Sequence, residues 1–400
     1  MRQFDGAFCG ADDAAVTTVA WVRILVTGAT GYVGSRLVTA LLTEGHDVVV
    51  TSRNMIRLKC FGWHRDVAGV ALDAHDQASA PAAFAAAGPI DVVFYLVHGI
   101  GQPGFRDADN EAAATVAGAA ADAGVRRIVY LGGFVPGDDI LSEHLTSRAE
   151  VAAALSIDGG PDVVWLGAAM IIGSGSTSFE ILRYIADRFV LIPMPYWVDN
   201  PIDPISIRDV LYYLVAAADE TRVPAGAYDI CGPETSSYRS IVAAYARVSR
   251  TWRAGVPVRG VDRALMSRMT AAALPLPAGL ATDLIASLDH PMTAAEQRLR
   301  DHVPDPPGGL ITTADALTRC LAKHHPRPVN ALADPHHLAD SDPAWAGGDA
   351  LRIRRLARPV TPPIARPVLS VLDAMPGPVA GAVRTGLDTL VNLAPKVRLA

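Results

Sequence analysis

Cysteine is scarce in this chain. Cys9, Cys60, Cys231 and Cys320 are scattered over 400 residues with no CxxC pair. A disulfide-stapled fold and a thiolate metal site are therefore not expected, and a reducing cytoplasm is the expected setting. Long hydrophobic runs are also missing. The longest, VVWLGAAMII at residues 163–172, falls short of the roughly 18 apolar residues that span a bilayer and suits a buried strand better. Residues 1–20 show no basic-then-apolar signal pattern and no periodicity, and are read as a loose leader. Charged residues make up 19% of the chain and sum to −6, which gives no reason to expect a nucleic-acid partner. Paired histidines occur at His324–His325 and His336–His337. With no cysteine or carboxylate geometry beside them they read as linker residues, and no metal is expected.

What is present is a globular composition, 50% hydrophobic, long enough for two lobes with appendages. The charge is unevenly spread. Residues 351–400 hold eight Lys/Arg and two Asp/Glu, so this tail carries +6 and the remainder −12. Val379, Val383, Leu387, Leu390 and Val391 recur at spacings of three to four, which gives the tail one apolar face. It is expected to dock on the body, on a second subunit, or peripherally on a membrane surface.

From Trp21 onward, short apolar runs alternate with Ala-rich helical stretches. Strands are read at 22–28, 46–52, 70–73, 91–98, 126–133 and 161–167, with helices running through Leu42 and over 105–124. Apolar strands alternating with helices predict an α/β fold, a doubly wound parallel sheet covered on both faces. This Rossmann-type domain is expected over 21–173. A smaller substrate lobe follows over 174–325, with helices at 179–189, 207–219 and 237–250. Residues 326–350, rich in Pro, His and Asp, are read as a linker, and 351–400 as the basic, partly amphipathic tail.

TGATGYVG, residues 27–34, follows the first strand and opens a helix. Gly28 permits the tight turn, Gly31 lets backbone approach a pyrophosphate, and Gly34 lets the helix pack closely on the strand. Thr27, Thr30, Tyr32 and Val33 complete the expected cofactor loop, and the helix N-terminus would hold the phosphates. The second strand ends in Thr51, Ser52 and Arg53, with no carboxylate before Asp66. Hydroxyls and a guanidinium there suit a 2′-phosphate, so NADP is favoured while NAD stays open. Asp73, with Ala74 beside it, is placed to reach the adenine amino group. Leu96, Val97 and His98 are expected near the cofactor ribose. For His98 two readings stand side by side, one touching substrate and one a loop histidine bonded to backbone.

ILVTGATGYVG, Asp73, VVFYLVHGIG, RRIVYLGG, HLTSR, AAMIIGSGSTSFE, YWVDNPIDPISIRDV and YDICGPETSSYRS together resemble the atypical short-chain dehydrogenases/reductases. More narrowly they resemble the bacterial NAD(P)-binding proteins related to NmrA and to the nucleotide-binding accessory subunit of respiratory complex I. The likeness spans residues 22 to about 323. It implies a Rossmann sheet with a small C-terminal substrate lobe, in a family that includes reductases, redox sensors and structural subunits. Catalytic branches of that family carry a Ser after the fifth strand and a Tyr with a Lys four residues on. Here Gly132 and Gly133 stand in the Ser region, and His144 and Arg148 replace the Tyr and Lys. Histidine can donate a proton near neutral pH, and Arg148 can orient the cofactor ribose or a substrate carboxylate.

The reading is therefore an NADP(H)-dependent oxidoreductase of cytoplasmic or membrane-associated location, with His144 and Arg148 catalytic. Its partner would be an unidentified small or lipid-like carbonyl, enone or quinone. A non-catalytic redox sensor or complex-stabilising subunit is the rival. A sugar-nucleotide epimerase is disfavoured, because it too needs the Tyr. Pro195, Tyr196 and Trp197 are expected either to wall the nicotinamide or to pack the two lobes together.

Overall fold

A computed structural model describes residues 22–134, 143–258, 274–286, 290–322 and 324–360, with isolated positions between and beyond. The leader read over 1–20 and almost all of 361–400 lie outside the described residues, as does the side chain of His144.

Strands β1 (Arg23–Val26), β2 (Asp47–Ser52), β3 (Ala68–Ala71), β4 (Val92–Tyr95), β5 (Arg127–Gly133) and β6 (Asp162–Ala168) join β11 (Gly226–Asp229) in one sheet. Its order is β11-β6-β5-β4-β1-β2-β3, and every pairing in it is parallel. This is the expected Rossmann-like α/β architecture, with the strand order reversing between β1 and β4. Ile24, Leu25 and Val26 of β1 point alternately to opposite faces and all three are buried. Ile24 and Val26 meet α1 (Tyr32–Thr43) and α7 (Ile207–Ala217), while Leu25 meets α3 (Ser79–Ala87) and α4 (Phe105–Asp122) on the other side. α5 (Glu143–Leu155) completes that second layer through Val151 and Leu155. Burial on both faces is what makes these strands read as continuous apolar runs.

A short helix, α2 (Met55–Leu58), follows β2. The second lobe is built from α6 (Thr177–Arg188), α8 (Tyr238–Val248), α9 (Ala278–Ala286), α10 (Leu299–His302) and α11 (Thr313–Leu321). Three two-stranded ribbons tie it together: β7 (Ile171–Ile172) with β10 (Ile205–Ser206), β9 (Pro201–Ile202) with β12 (Ser236–Ser237), and β8 (Leu191–Met194) with β13 (Ala254–Pro257). α9 and the β8/β13 ribbon were not expected. Their segments are short and lack a sustained period.

Residues 326–350 are not a free linker. This segment lies across α1 and α6 and is held by buried polar contacts. Arg36 of α1 donates from Nε to Pro335 O at 2.9 Å and from Nη2 to His337 O at 2.9 Å, and it pairs with Asp342 at 2.8 Å. Glu180 of α6 accepts from Gly347 N–H at 3.1 Å. α12 (Gly348–Val360) then docks on α6 through Asp349, which sits between Arg188 at 2.8 Å and Arg352 at 3.0 Å. A Pro/His/Asp-rich composition resembles a linker because it carries no apolar period; its stability here comes from charges placed far away in sequence. Among the described residues no helix is long and apolar enough to cross a membrane.

Candidate functional site

The Gly-rich loop sits where β1 meets α1, at the strand-order reversal, which is where ligands bind in open α/β sheets. Thr27 is fully buried. Its N–H and hydroxyl both donate to Phe94 O, at 2.9 and 3.0 Å, and its Oγ1 accepts from Leu96 N–H at 3.3 Å. Thr27 therefore shapes the loop from beneath and has no free group to offer a cofactor. Gly28 has φ +71°, and a Cβ there would fall 2.5 Å from Leu96 O. A Cβ on Gly34 would fall 2.3 Å from Gly28 O, so α1 starts hard against the loop. A Cβ on Gly31 would meet only Gly28 O, at 3.2 Å, with open space on its other sides. Gly31 caps α1 with no side-chain hydrogen bond, which leaves the first-turn N–H groups for a ligand. That open cradle at an uncapped helix N-terminus fits a dinucleotide pyrophosphate.

Ser52, Arg53, Asp73 and Ala74 follow the C-terminal ends of the neighbouring strands β2 and β3 on the same edge. The Ser52 hydroxyl donates to Asn54 O at 3.0 Å and accepts from Asn54 N–H at 3.1 Å. Arg53 is exposed and pairs with no carboxylate among the described residues. Asp73 accepts from His75 N–H at 3.2 Å through one carboxylate oxygen.

From the loop, a cavity of about 370 Å³ runs into the second lobe. At one end Gly28, Gly31, Tyr32, Val33 and Gly34 line it together with Leu96, His98 and Arg148. At the other end its walls are Ile181, Leu182, Ile185 and Phe189, the Ile192 and Met194 face of β8, Trp197, Val242, and Leu280 and Leu284 of α9. Pro195 lines it too, while Tyr196 points away and is exposed. Of the aromatic pair, Trp197 alone forms a cavity wall, at the apolar end. Sequence reading did not single out the α6 residues, although Ile181, Ile185 and Phe189 recur at a spacing of four on one helix face.

His98 and Arg148 are the only His, Arg, Lys, Asp or Glu side chains in this lining among the described residues. His98 lines the cavity, and among the described residues its ring makes no hydrogen bond. Shielding from bulk water, with Arg148 adding to it, pushes the His98 imidazole down to about 3, so it is neutral at physiological pH. The loop that carries His98 is clamped twice. Asp109 accepts from Gly99 N–H at 2.7 Å, and Asp283 of α9 accepts from Gly101 N–H at 3.0 Å. Burial raises the Asp109 carboxyl above its ordinary range, against the opposing Gly99 hydrogen bond and Arg148.

Arg148 lies one turn after His144 on α5, and its carbonyl accepts from Tyr130 Oη at 3.4 Å. Arg148 thus reaches the cavity as the resemblance implies, while the side chain of His144 lies outside the described residues. At Gly132 a Cβ would fall 2.6 Å from Trp165 Nε1 and 3.0 Å from the Tyr130 ring. The Ser of the catalytic branches is therefore absent from position 132 and has no room there. The buried Tyr32 hydroxyl has no hydrogen-bond partner, and burial lifts it well above the ordinary phenol range.

Among the described residues no group of three or more His, Cys, Asp or Glu is placed to hold a metal ion. His336 is fully buried, with Nδ1 2.6 Å from Asp334 Oδ1 and Nε2 3.0 Å from Ser206 Oγ. Ser206 caps α7 by accepting from Arg208 N–H at 3.1 Å, so this Asp–His–Ser chain ties residues 334–336 to the start of α7, with Asp334 at its partly exposed outer end.

Residues 28–158 match a family described as NAD(P)H-binding. The chain is 27% identical over 227 residues to an uncharacterised Mycobacterium tuberculosis protein, and the match spans 56% of this chain and 23% of that protein. The chain thus spans about a quarter of the length of the mycobacterial relatives it matches. It is also 27% identical over 281 residues, 68% of this chain and 88% of the other, to a (4-alkanoyl-5-oxo-2,5-dihydrofuran-3-yl)methyl phosphate reductase of Streptomyces griseus subsp. griseus. In fold it is similar to the triphenylmethane reductase of a Citrobacter species in complex with NADP(H). The TM-score there is 0.57 at 18% identity, covering 74% of this chain and 99% of that one. An NADPH-dependent quinone oxidoreductase of Escherichia coli gives 0.58 at 15% identity, covering 74% and 98%. These likenesses are consistent with the resemblance to atypical short-chain dehydrogenases/reductases, and they support a nicotinamide dinucleotide as cofactor without distinguishing NAD from NADP.

Proposed function

We propose that the protein is an NADP(H)-dependent oxidoreductase acting on an apolar, lipid-like carbonyl, enone or quinone. One observation carries this reading. The cavity is continuous from the dinucleotide loop to the apolar wall of the second lobe, and among the described residues its only charged or imidazole groups, His98 and Arg148, stand at the dinucleotide end. A bound nicotinamide would supply the hydride. Arg148 orients the substrate oxygen or the cofactor ribose, and the apolar walls exclude water and hold the substrate's hydrocarbon part. His144, one turn ahead of Arg148, occupies the proton donor's place in the resembled family. Neutral His98, already at the cavity wall, is placed to donate a hydrogen bond to the substrate oxygen.

The rival is a dinucleotide-binding sensor or complex-stabilising subunit. It is favoured by Gly132, where the close approach of Trp165 leaves no room for the carbonyl-binding Ser. NADPH oxidation measured against a panel of long-chain quinones and enones separates the two. Turnover that falls roughly 10²-fold or more in Arg148→Ala supports the enzyme. Tight dinucleotide binding with no turnover on any member of the panel supports the sensor.

A further inference from the structure

Strand β8 has apolar side chains on both of its faces. Ile192 and Met194 point inward and line the cavity, while Leu191 and Pro193 between them are exposed. Its partner β13 runs parallel in a register that sets Leu191 beside Ala254 and Pro193 beside Val256. Paired residues of a parallel ribbon share a face, so Leu191, Ala254, Pro193 and Val256 form one outward surface. It is an exposed one: Leu191 is 60% and Val256 42% accessible, with Val190 at 44% and Trp252 at 70% where the ribbon begins. Ala254 N–H donates to Val190 O at 3.0 Å, which sets the Trp252 end of β13 beside the Val190 end of β8.

Two arginines without a carboxylate partner among the described residues stand beside this surface. The last turn of α8 carries Arg247, and Arg250 turns the chain into the ribbon at φ 54°, a left-handed conformation unusual for a non-glycine residue. Both guanidinium groups are exposed, and neither pairs with a carboxylate among the described residues. An exposed Trp and aliphatic side chains flanked by unpaired arginines match the interfacial zone of an anionic bilayer. There the indole sits at headgroup level and the cations meet lipid phosphates. A peptide adding to the ribbon edge fits less well, because Pro193 and Pro257 offer no N–H to a new strand. The surface is also continuous with the cavity. Pro193 both lines the cavity and is exposed, so at this point the wall is one strand thick.

We infer that the outer face of the β8/β13 ribbon, with Trp252, Arg247 and Arg250, docks the protein on an anionic membrane surface and sets the apolar cavity against the lipid phase. The test is co-sedimentation of the full chain with vesicles of phosphatidylcholine alone and with one third phosphatidylglycerol. The parent should partition onto the anionic vesicles and release them as salt rises. Leu191→Ser/Trp252→Ala and, separately, Arg247→Gln/Arg250→Gln should each lower partitioning about tenfold. NADPH affinity and the thermal midpoint should stay at parental values, which guards against loss of fold. Three outcomes overturn the inference: no vesicle binding by the parent, equal binding by parent and variants, or a parental dimer in sedimentation velocity that the substitutions dissolve without any vesicle binding. The readout needs no turnover, so it stands or falls separately from the oxidoreductase reading.

Discussion

Arg36 and Asp342, 306 positions apart, form a two-point ion pair with Nη1–Oδ1 at 3.0 Å and Nη2–Oδ2 at 2.8 Å. Their side chains are only 1% and 2% exposed. The remaining Arg36 donors go to the carbonyls of Tyr32, Ser174, Pro335 and His337, and the guanidinium lies 4.1 Å over the Tyr32 ring. The helix that offers its N-terminus to a dinucleotide is thus locked to the strap formed by residues 326–350. Removing one partner of such a pair leaves a buried charge and costs about 3–5 kcal/mol, whereas replacing both with apolar groups of similar size costs much less. Asp342→Ala should therefore be strongly destabilised in urea unfolding, and Arg36→Met/Asp342→Leu less so. A loss under about 1 kcal/mol in Asp342→Ala, the scale of an exposed pair, would show that the strap is not fastened this way.

A second expectation concerns the dinucleotide. Arg53 stands exposed and without a carboxylate partner at the end of β2. NADPH should bind at least several-fold more tightly than NADH, since a charge-assisted hydrogen bond contributes about 1.5–3 kcal/mol. Arg53→Asp should narrow or reverse the gap. Calorimetry showing that the parent prefers NADH would remove the assignment.

The two histidines, His144 as proton donor and His98 as hydrogen-bond donor, differ in what pH does to them. Desolvation inside the cavity, with Arg148 adding to it, lowers the His98 imidazole to about 3 although its ring is exposed along the cavity, so between pH 5 and 8 it does not change charge. An unfolded His takes up its proton near 6.5. The unfolded chain therefore binds the extra proton first as pH falls, and stability drops from pH 6.5 toward 3. His98→Gln should flatten the stability profile in that window. A reductase activity that falls as a group of pKa 6–7 deprotonates cannot be reporting His98. If such a fall disappears in His144→Ala, with turnover lower by roughly 10²-fold and NADPH binding intact, His144 is the donor. A flat profile over that range, with activity lost in His98→Ala alone, leaves His144 out and assigns His98 the hydrogen bond that polarises the substrate oxygen.

Much of the nucleotide half was legible because its physics is local. Gly28 needs a positive φ, Gly34 needs the absence of a Cβ, and β1, β2, β4, β5 and β6 are apolar on both faces, so each leaves its mark on consecutive residues. The far end of the cavity was not legible. Trp197, Met194 and Leu284 come from a loop, a four-residue strand and a short helix, and only the fold makes them neighbours. Residues 326–350 were misread for the same reason. Asp342 and His336 are polar residues in a proline-rich stretch, and nothing nearby in sequence reveals that Arg36 and Ser206 bury them.

That Arg36 meets its counter-charge 306 residues later also orders events during synthesis. At 5–20 residues per second, roughly 15–60 s separate the emergence of the first βα unit from that of Asp342. For that interval the nascent chain holds every glycine of its dinucleotide loop while the guanidinium behind them still faces solvent. A ribosome stalled short of residue 342 would release a chain with a complete phosphate loop on an unfastened helix.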